Sequence, residues 1–166
     1  MAKKINTKEL VEKIAKLARE RMTSGEVVSL TDIKNHKAKK APPTLLVIED
    51  DETVRRALQR IFESSGYRVL AASDGTELTD IMHETFIDLI LLDVGLPWIN
   101  GYELAQMMKE HSELNKVPIV FISAHNDQAA IKKGFGVGAH DYITKPFEVE
   151  KVLKTVSTLL KLHEAT

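Results

Sequence analysis

The side chains of this 166-residue sequence with the most chemistry to offer sit in one kind of place, directly behind short apolar runs. Glu49, Asp50 and Asp51 follow Leu45–Ile48, Asp93 follows Leu89–Leu92, Ser123 follows Ile119–Ile122, and Lys145 follows a shorter stretch and precedes Pro146 and Phe147. Carboxylates brought close together repel and raise one another's pKa unless a cation joins them. A donor set made only of oxygen, with part of its shell left to water, suits Mg²⁺. An Asp carboxylate is also a nucleophile toward phosphorus and yields an aspartyl phosphate. The equatorial oxygens of a phosphoryl group in transfer must be neutralised, and Mg²⁺, the Lys145 ammonium and the Ser123 hydroxyl offer one contact each.

Each of these residues also has a plain role. An acid after a strand commonly caps the next helix or makes a turn, a serine does the same, and a lysine is usually a solvated cation. The set is informative only if the fold brings its members to one edge.

The hydrophobic pattern supplies such a fold. Three continuous apolar runs (Leu45–Ile48, Ile87–Leu92 interrupted by Asp88, and Val117–Ile122) suit strands buried on both faces, as in a parallel sheet. Shorter strands are expected at Tyr67–Ala72 and His140–Ile143. Val54, Ala57, Leu58, Ile61 and Phe62 follow helical spacing up to Gly66, and Val149, Val152, Leu153, Val156, Leu159 and Leu160 do so in a final helix. Further helices are expected near Asp74–His83, Gly101–His111 and Asn126–Phe135, the last weakened by Gly134 and Gly136. Strand and helix thus alternate through five repeats, and right-handed crossovers make this α/β, a doubly wound five-stranded parallel sheet. Ligands of such sheets bind beyond the carboxyl ends of the strands, where all the residues named above lie.

Composition narrows the classes. The absence of Cys excludes disulfides, thiolate metal sites and thiol nucleophiles and fits a cytoplasmic location. No stretch approaches the roughly 18 apolar residues of a membrane span. The net charge of −1 conceals a division at Ala41-Pro42-Pro43: residues 1–43 carry eleven Lys and Arg against five Asp and Glu, and the remainder is acidic. We therefore divide the chain into a basic N-terminal extension, 1–43, and a domain, 44–166. The extension reads as a helix from about Thr7 to Met22, started by Asn6 with Glu9 and stopped at Ser24-Gly25, with an apolar stripe of Leu10, Val11, Ile14, Leu17 and Ala18. A short apolar stretch (Val27, Val28, Leu30, Ile33) and a basic run (Lys34, Lys37, Lys39, Lys40) follow. An isolated helix this short is marginal in water, so the stripe should pack on something. The choices are its own domain or a second copy in a homodimer, a separate output partner protein held by Leu10, Ile14 and Leu17, or a polyanion. Nucleic acid is disfavoured because residues 1–43 contain no Phe, Trp or Tyr for base stacking.

From Leu45 to about Leu160 the sequence resembles the receiver domain of bacterial two-component response regulators. The resemblance is carried by Leu46-Val47-Ile48-Glu49-Asp50-Asp51, Leu91-Leu92-Asp93-Val94-Gly95-Leu96-Pro97 with Asn100-Gly101-Tyr102-Glu103-Leu104, Phe121-Ile122-Ser123-Ala124, and Gly138 through Phe147. It implies a (βα)5 flavodoxin-like receiver preceded by the helical extension. It implies that Asp93 accepts a phosphoryl group from a sensor histidine kinase or histidine phosphotransfer protein. Glu49, Asp50, Asp93 and the Gly95 carbonyl would hold Mg²⁺, and Ser123 and Lys145 would contact the phosphoryl oxygens. Lys145-Pro146 would be cis, and Ser123 with Tyr142 would form a switch. The role would be that of a signalling phosphoacceptor that promotes its own phosphorylation and dephosphorylation, not of an enzyme with a separate substrate. On physics alone Tyr142 reads equally as a strand aromatic with its hydroxyl in water.

Three rivals share parts of the pattern. A mononucleotide-binding flavodoxin relative would need a first loop rich in Gly, Ser and Thr, whereas Glu49-Asp50-Asp51 repels phosphate. A phosphatase of the haloacid-dehalogenase type would need an acid two residues after Asp93, where Gly95 stands. A phosphorylation-independent pseudo-receiver acting as an interaction scaffold usually lacks an acidic, hydroxyl or lysine position, and this sequence lacks none. Because the sequence stops just after the last helix, output is expected to pass through a partner or through residues 1–43.

Overall fold

The structure is a computed structural model that describes residues 7–23, 41–84, 86–112 and 114–165. Its elements are α1 (Thr7–Thr23), β1 (Thr44–Ile48), α2 (Glu52–Ser64), β2 (Arg68–Ala72), α3 (Gly75–Glu84), β3 (Leu89–Leu92), α4 (Gly101–Glu110), β4 (Ile119–Ser123), α5 (Gln128–Gly136), β5 (Asp141–Thr144) and α6 (Val149–Glu164). The strands form one parallel sheet in the order β2-β1-β3-β4-β5. The order reverses at β1, so the crevice between β1 and β3 is the switch point.

Local chemistry explains the boundaries. The Asp51 carboxylate accepts the Val54 N–H at 3.0 Å and starts α2. After the helix Gly66 takes φ +88°, a left-handed conformation that costs glycine nothing. Asp127 caps α5 by accepting from Ala130 N at 2.9 Å, which moves the start of that helix to Gln128. Beyond the Pro42-Pro43 break, the Pro43 carbonyl accepts from Arg68 N at 3.0 Å and leads the chain into the sheet.

Alternate strand residues point to opposite faces. Leu46 and Ile48 join a core cluster with α3 and α4, whereas Leu45 and Val47 join one with α2 and α6. The first cluster also takes in Leu10, Val11 and Ile14 of α1, exposed by 4%, 1% and 0%. Of the destinations open to the apolar stripe, the structure shows its own domain: α1 lies across α3 and α4. Leu10 and Ile14 are therefore buried in the chain's own core. The side chain of Leu17, the Asn6 cap, the stop at Ser24-Gly25, and the apolar and basic stretches after it lie outside the described residues.

Candidate functional site

β1, β3, β4 and β5 deliver their carboxyl ends to one rim of the sheet. Glu49 and Asp50 follow β1, Asp93 follows β3, Ser123 ends β4 and Lys145 follows β5. Carboxylate oxygens of Glu49, Asp50 and Asp93 lie within 4.8 Å of one another. Glu49 and Asp93 are buried, while Asp50 is open to solvent. The third acid of the run, Asp51, takes the plain role: its side chain caps α2, and its N–H is donated to Glu49 Oε1 at 3.1 Å.

Lys145 ties the rim together. Its N–H is donated to the Ser123 carbonyl at 2.8 Å, its peptide bond to Pro146 is cis, and its Nζ reaches back across the sheet. The ammonium donates to Glu49 Oε2 at 2.6 Å and stands 3.6 Å from Asp93 Oδ1. Burial holds the Glu49 carboxyl above the ordinary glutamate value; the Asp93 charge adds to this, and the Lys145 and Asp51 hydrogen bonds oppose it. Three carboxylates thus face one ammonium, an all-oxygen set with a shortage of positive charge, which fits a hard divalent cation such as Mg²⁺. Glu49, Asp50 and Asp93 are the residues able to hold it.

The loop after Asp93 is folded back tightly. Gly101 N is donated to the Val94 carbonyl at 2.9 Å, and a Cβ at Gly101 would collide with the Asp93 carbonyl and approach Val94 Cα to 2.7 Å, so glycine is required there. Gly95 makes no such demand: an added Cβ would lie 3.8 Å from Asp93 Oδ2, an ordinary contact. Trp98 anchors the loop by donating Nε1–H to the Ser73 carbonyl at 3.1 Å.

Ser123 is fully buried, and its hydroxyl accepts the His125 N–H at 3.2 Å. Tyr142 departs from the solvent-facing alternative. It is 6% exposed and donates its hydroxyl to the His125 carbonyl at 2.7 Å, so Ser123 and Tyr142 hold the same backbone stretch from two sides. The ring packs against Phe121 at 5.8 Å between centroids and rests on Gly134, where a Cβ would come within 2.7 Å of Tyr142 Cδ2. The glycine that weakens α5 as a helix is the seat of this ring.

Residues 45–157 match the family model of the response regulator receiver domain. The chain belongs to the response regulator receiver family. Among its relatives, the polar-differentiation response regulator DivK of Brucella anthropi is 30% identical over 122 residues, spanning 72% of this chain and 97% of DivK. The aerobic respiration control protein ArcA of Escherichia coli is 36% identical over 118 residues, 71% of this chain but 48% of ArcA. The chain spans about half the length of the first curated relatives it matches. The receiver domain of the sensor histidine kinase PA1611 from Pseudomonas aeruginosa, solved with a magnesium ion coordinated in its active site cleft, is 25% identical with TM-score 0.65, covering 73% of this chain and 99% of that one. Among the described residues of this receiver, no helix is long and apolar enough to cross a membrane.

Two participants escape sequence reasoning. Tyr102, one residue after the Gly101 turn, donates to the Ala130 carbonyl at 3.0 Å and lies 3.2 Å from the Tyr142 hydroxyl. Arg55, one turn into α2, donates from Nη1 to the carbonyls of Glu49 and Asp50. Its spacing of five and six residues from the acids was the available signal.

Proposed function

We propose that this receiver is a phosphoacceptor whose nucleophile is Asp93, that it works in the cytoplasm, and that it takes its phosphoryl group from a phosphohistidine of a sensor histidine kinase or histidine phosphotransfer protein. The observation that carries the reading is the Lys145 ammonium set between the Glu49 and Asp93 carboxylates at the strand ends. In the transfer a bond forms from an Asp93 carboxylate oxygen to phosphorus, the phosphorus–nitrogen bond breaks, and the departing imidazole keeps the electron pair and takes a proton. Lys145 is placed to exchange its carboxylate contacts for a phosphoryl oxygen. Ser123, by turning its hydroxyl away from His125 N, offers a second contact and releases the backbone that Tyr142 holds. Glu49, Asp50, Asp93 and the Gly95 carbonyl would hold Mg²⁺, which supplies charge neutralisation at the phosphoryl group when bound. The magnesium in the PA1611 receiver supports that choice of metal. In dephosphorylation a water oxygen bonds to phosphorus, the bond from phosphorus to the Asp93 oxygen breaks and inorganic phosphate leaves. Lys145 and Ser123 would face the same phosphoryl oxygens in this step, so the protein assists both its phosphorylation and its dephosphorylation.

Acetyl phosphate and Mg²⁺ should add the mass of one phosphoryl group, labile to hydroxylamine. Asp93→Asn should abolish the gain, and Lys145→Ala should slow it by about a hundredfold or more, as for other preorganised oxyanion donors. Lys151→Ala, on the exposed side of α6, should leave the rate unchanged. A wild-type protein with no mass gain under these conditions defeats the reading and leaves the interaction scaffold.

A further inference from the structure

The first two of the three acids that follow β1 are held from behind by a side chain that touches neither carboxylate. Arg55 donates Nη1–H groups to the Glu49 carbonyl at 3.0 Å and to the Asp50 carbonyl at 3.1 Å. One nitrogen therefore fixes two successive peptide units, those carrying two members of the carboxylate cluster. The anchor is itself fixed, because Asp51 caps α2 and Arg55 N is donated to the Asp51 carbonyl at 2.9 Å. The next residue gives an internal contrast: Arg56 pairs with Glu52 at 2.8 Å on the open surface, and among the described residues no hydrogen bond or ion pair joins it to the rim.

We propose that Arg55 is a positioning residue for cation binding, holding the β1–α2 loop so that the Glu49 and Asp50 carboxylates are already aimed at the cation. This rests on the reading of the rim as a Mg²⁺ site. The physical reason is the cost of assembling like charges. Asp50 is exposed, and a free loop would let its carboxylate swing away from those of Glu49 and Asp93. Bonds to the main chain oppose that swing without themselves taking up any carboxylate oxygen. The guanidinium also brings positive charge to the back of the loop without entering the ligand set. Tethers behind metal ligands commonly matter by about 10- to 100-fold in affinity.

Full-length Arg55→Ala, Arg55→Met, Arg55→Lys and Arg56→Ala proteins, checked for folding by circular dichroism, should be titrated with Mg²⁺ by calorimetry. Arg55→Ala and Arg55→Met should weaken binding about tenfold or more. Arg55→Lys should recover most of the affinity, because both bonds come from one nitrogen and an ammonium can make them. Arg56→Ala should bind as wild type. With acetyl phosphate the Arg55→Ala defect should vanish at saturating Mg²⁺, since only aim is lost. In metal-free protein the amides of Asp50 and Asp51 should exchange hydrogen faster in Arg55→Ala than in Arg56→Ala. Equal affinity in Arg55→Ala and wild type, equal losses at both arginines, or a lysine variant as weak as the methionine one overturns the proposal. Wild-type protein that binds no Mg²⁺ defeats the site reading instead; the metal-free exchange then still decides whether Arg55 holds the loop. Where the alanine variant does not fold, the comparison of Lys with Met decides.

Discussion

The same five strands build both faces of the sheet, and the two faces are packed with different chemistry. The buried residues of the cluster under α2 and α6 are Leu, Val and Ile with Phe62, while the aromatics Tyr67 and Phe147 flank it half-buried. The face under α3 and α4 includes Tyr102 and Tyr142 with Phe121 between them, accommodates the Tyr142 ring at Gly134, and is overlaid by α1. An aliphatic interlock has one good arrangement, since every methyl that leaves its hole leaves a void. A phenol seated on a glycine and tied to loop carbonyls can exchange its bonds for water or for another carbonyl at little cost. If Ser123 and Tyr142 act as the proposed switch, scaffold and moving parts sit on opposite sides of one sheet.

The sharpest way to break this contrast is Phe62→Ala. Phe62 is fully buried, so the variant should lose about 3–5 kcal/mol of stability by denaturant unfolding. The phosphorylation rate per folded molecule should be unchanged. A slower rate in molecules that are still folded would mean that the aliphatic face takes part in the chemistry.

The cover helix comes next. Ile14 is fully buried, and Ile14→Ala should cost about 2 kcal/mol, the low end for such truncations, because a helix packed on one side can settle into part of the void. Lys13→Ala, one residue away and exposed, should change stability by less than about 0.5 kcal/mol. Equal effects would place α1 off the domain in solution, with its stripe free for a second copy or a partner.

Gly134→Ala sets two known terms against each other. Alanine is favoured over glycine in a helix by about 1 kcal/mol. The added Cβ would stand 2.7 Å from Tyr142 Cδ2, a close approach whose relief typically costs about 1–3 kcal/mol. We expect net destabilisation and a Tyr142 ring displaced toward solvent. In the Tyr142→Ala background the sign should reverse, which a double-mutant cycle measures directly.

These positions also show what a sequence can disclose. The apolar runs located β1, β3 and β4 because strands buried on both faces leave no polar interruption, and the rim residues were legible because a strand's end is a place that chemistry can mark. By residue chemistry alone Asp50 and Asp51 are not separable, and only the family resemblance selects Asp50 for the cation. They are the same residue type one position apart, and which one caps α2 depends on the backbone angle at the strand's exit. The direction of Tyr142 was equally hidden, since it is decided by a glycine eight residues earlier in α5 and by carbonyls in another loop. Periodicity announced α1 and its apolar stripe, but the surface that receives the stripe is assembled from α3 and α4, far along the chain.

The smallest effects test the phenol pair itself. Each hydroxyl has one hydrogen. Tyr142 gives its hydrogen to the His125 carbonyl at 2.7 Å, so toward Tyr102 it can only accept. Tyr102 must then share one hydrogen between the Ala130 carbonyl at 3.0 Å and the Tyr142 oxygen at 3.2 Å. Tyr142→Phe removes the shorter bond and should cost about 1 kcal/mol, the usual net worth of a hydrogen bond. Tyr102→Phe removes a divided one and should cost less. The ionisation of Tyr102 is pushed upward, first by burial and then by the neighbouring Tyr142 hydroxyl. The unfolded chain therefore loses this proton first, near pH 10, while the folded protein keeps it. Stability attached to Tyr102 is complete below that pH and drains away as pH rises through the folded-state value. Unfolding measured from pH 8 to pH 11 should show a falling alkaline arm that is shallower in Tyr102→Phe than in wild type. An arm of unchanged slope would mean that Tyr102 is open to water in solution, and that the polar side of the contrast between the two faces rests on Tyr142 alone.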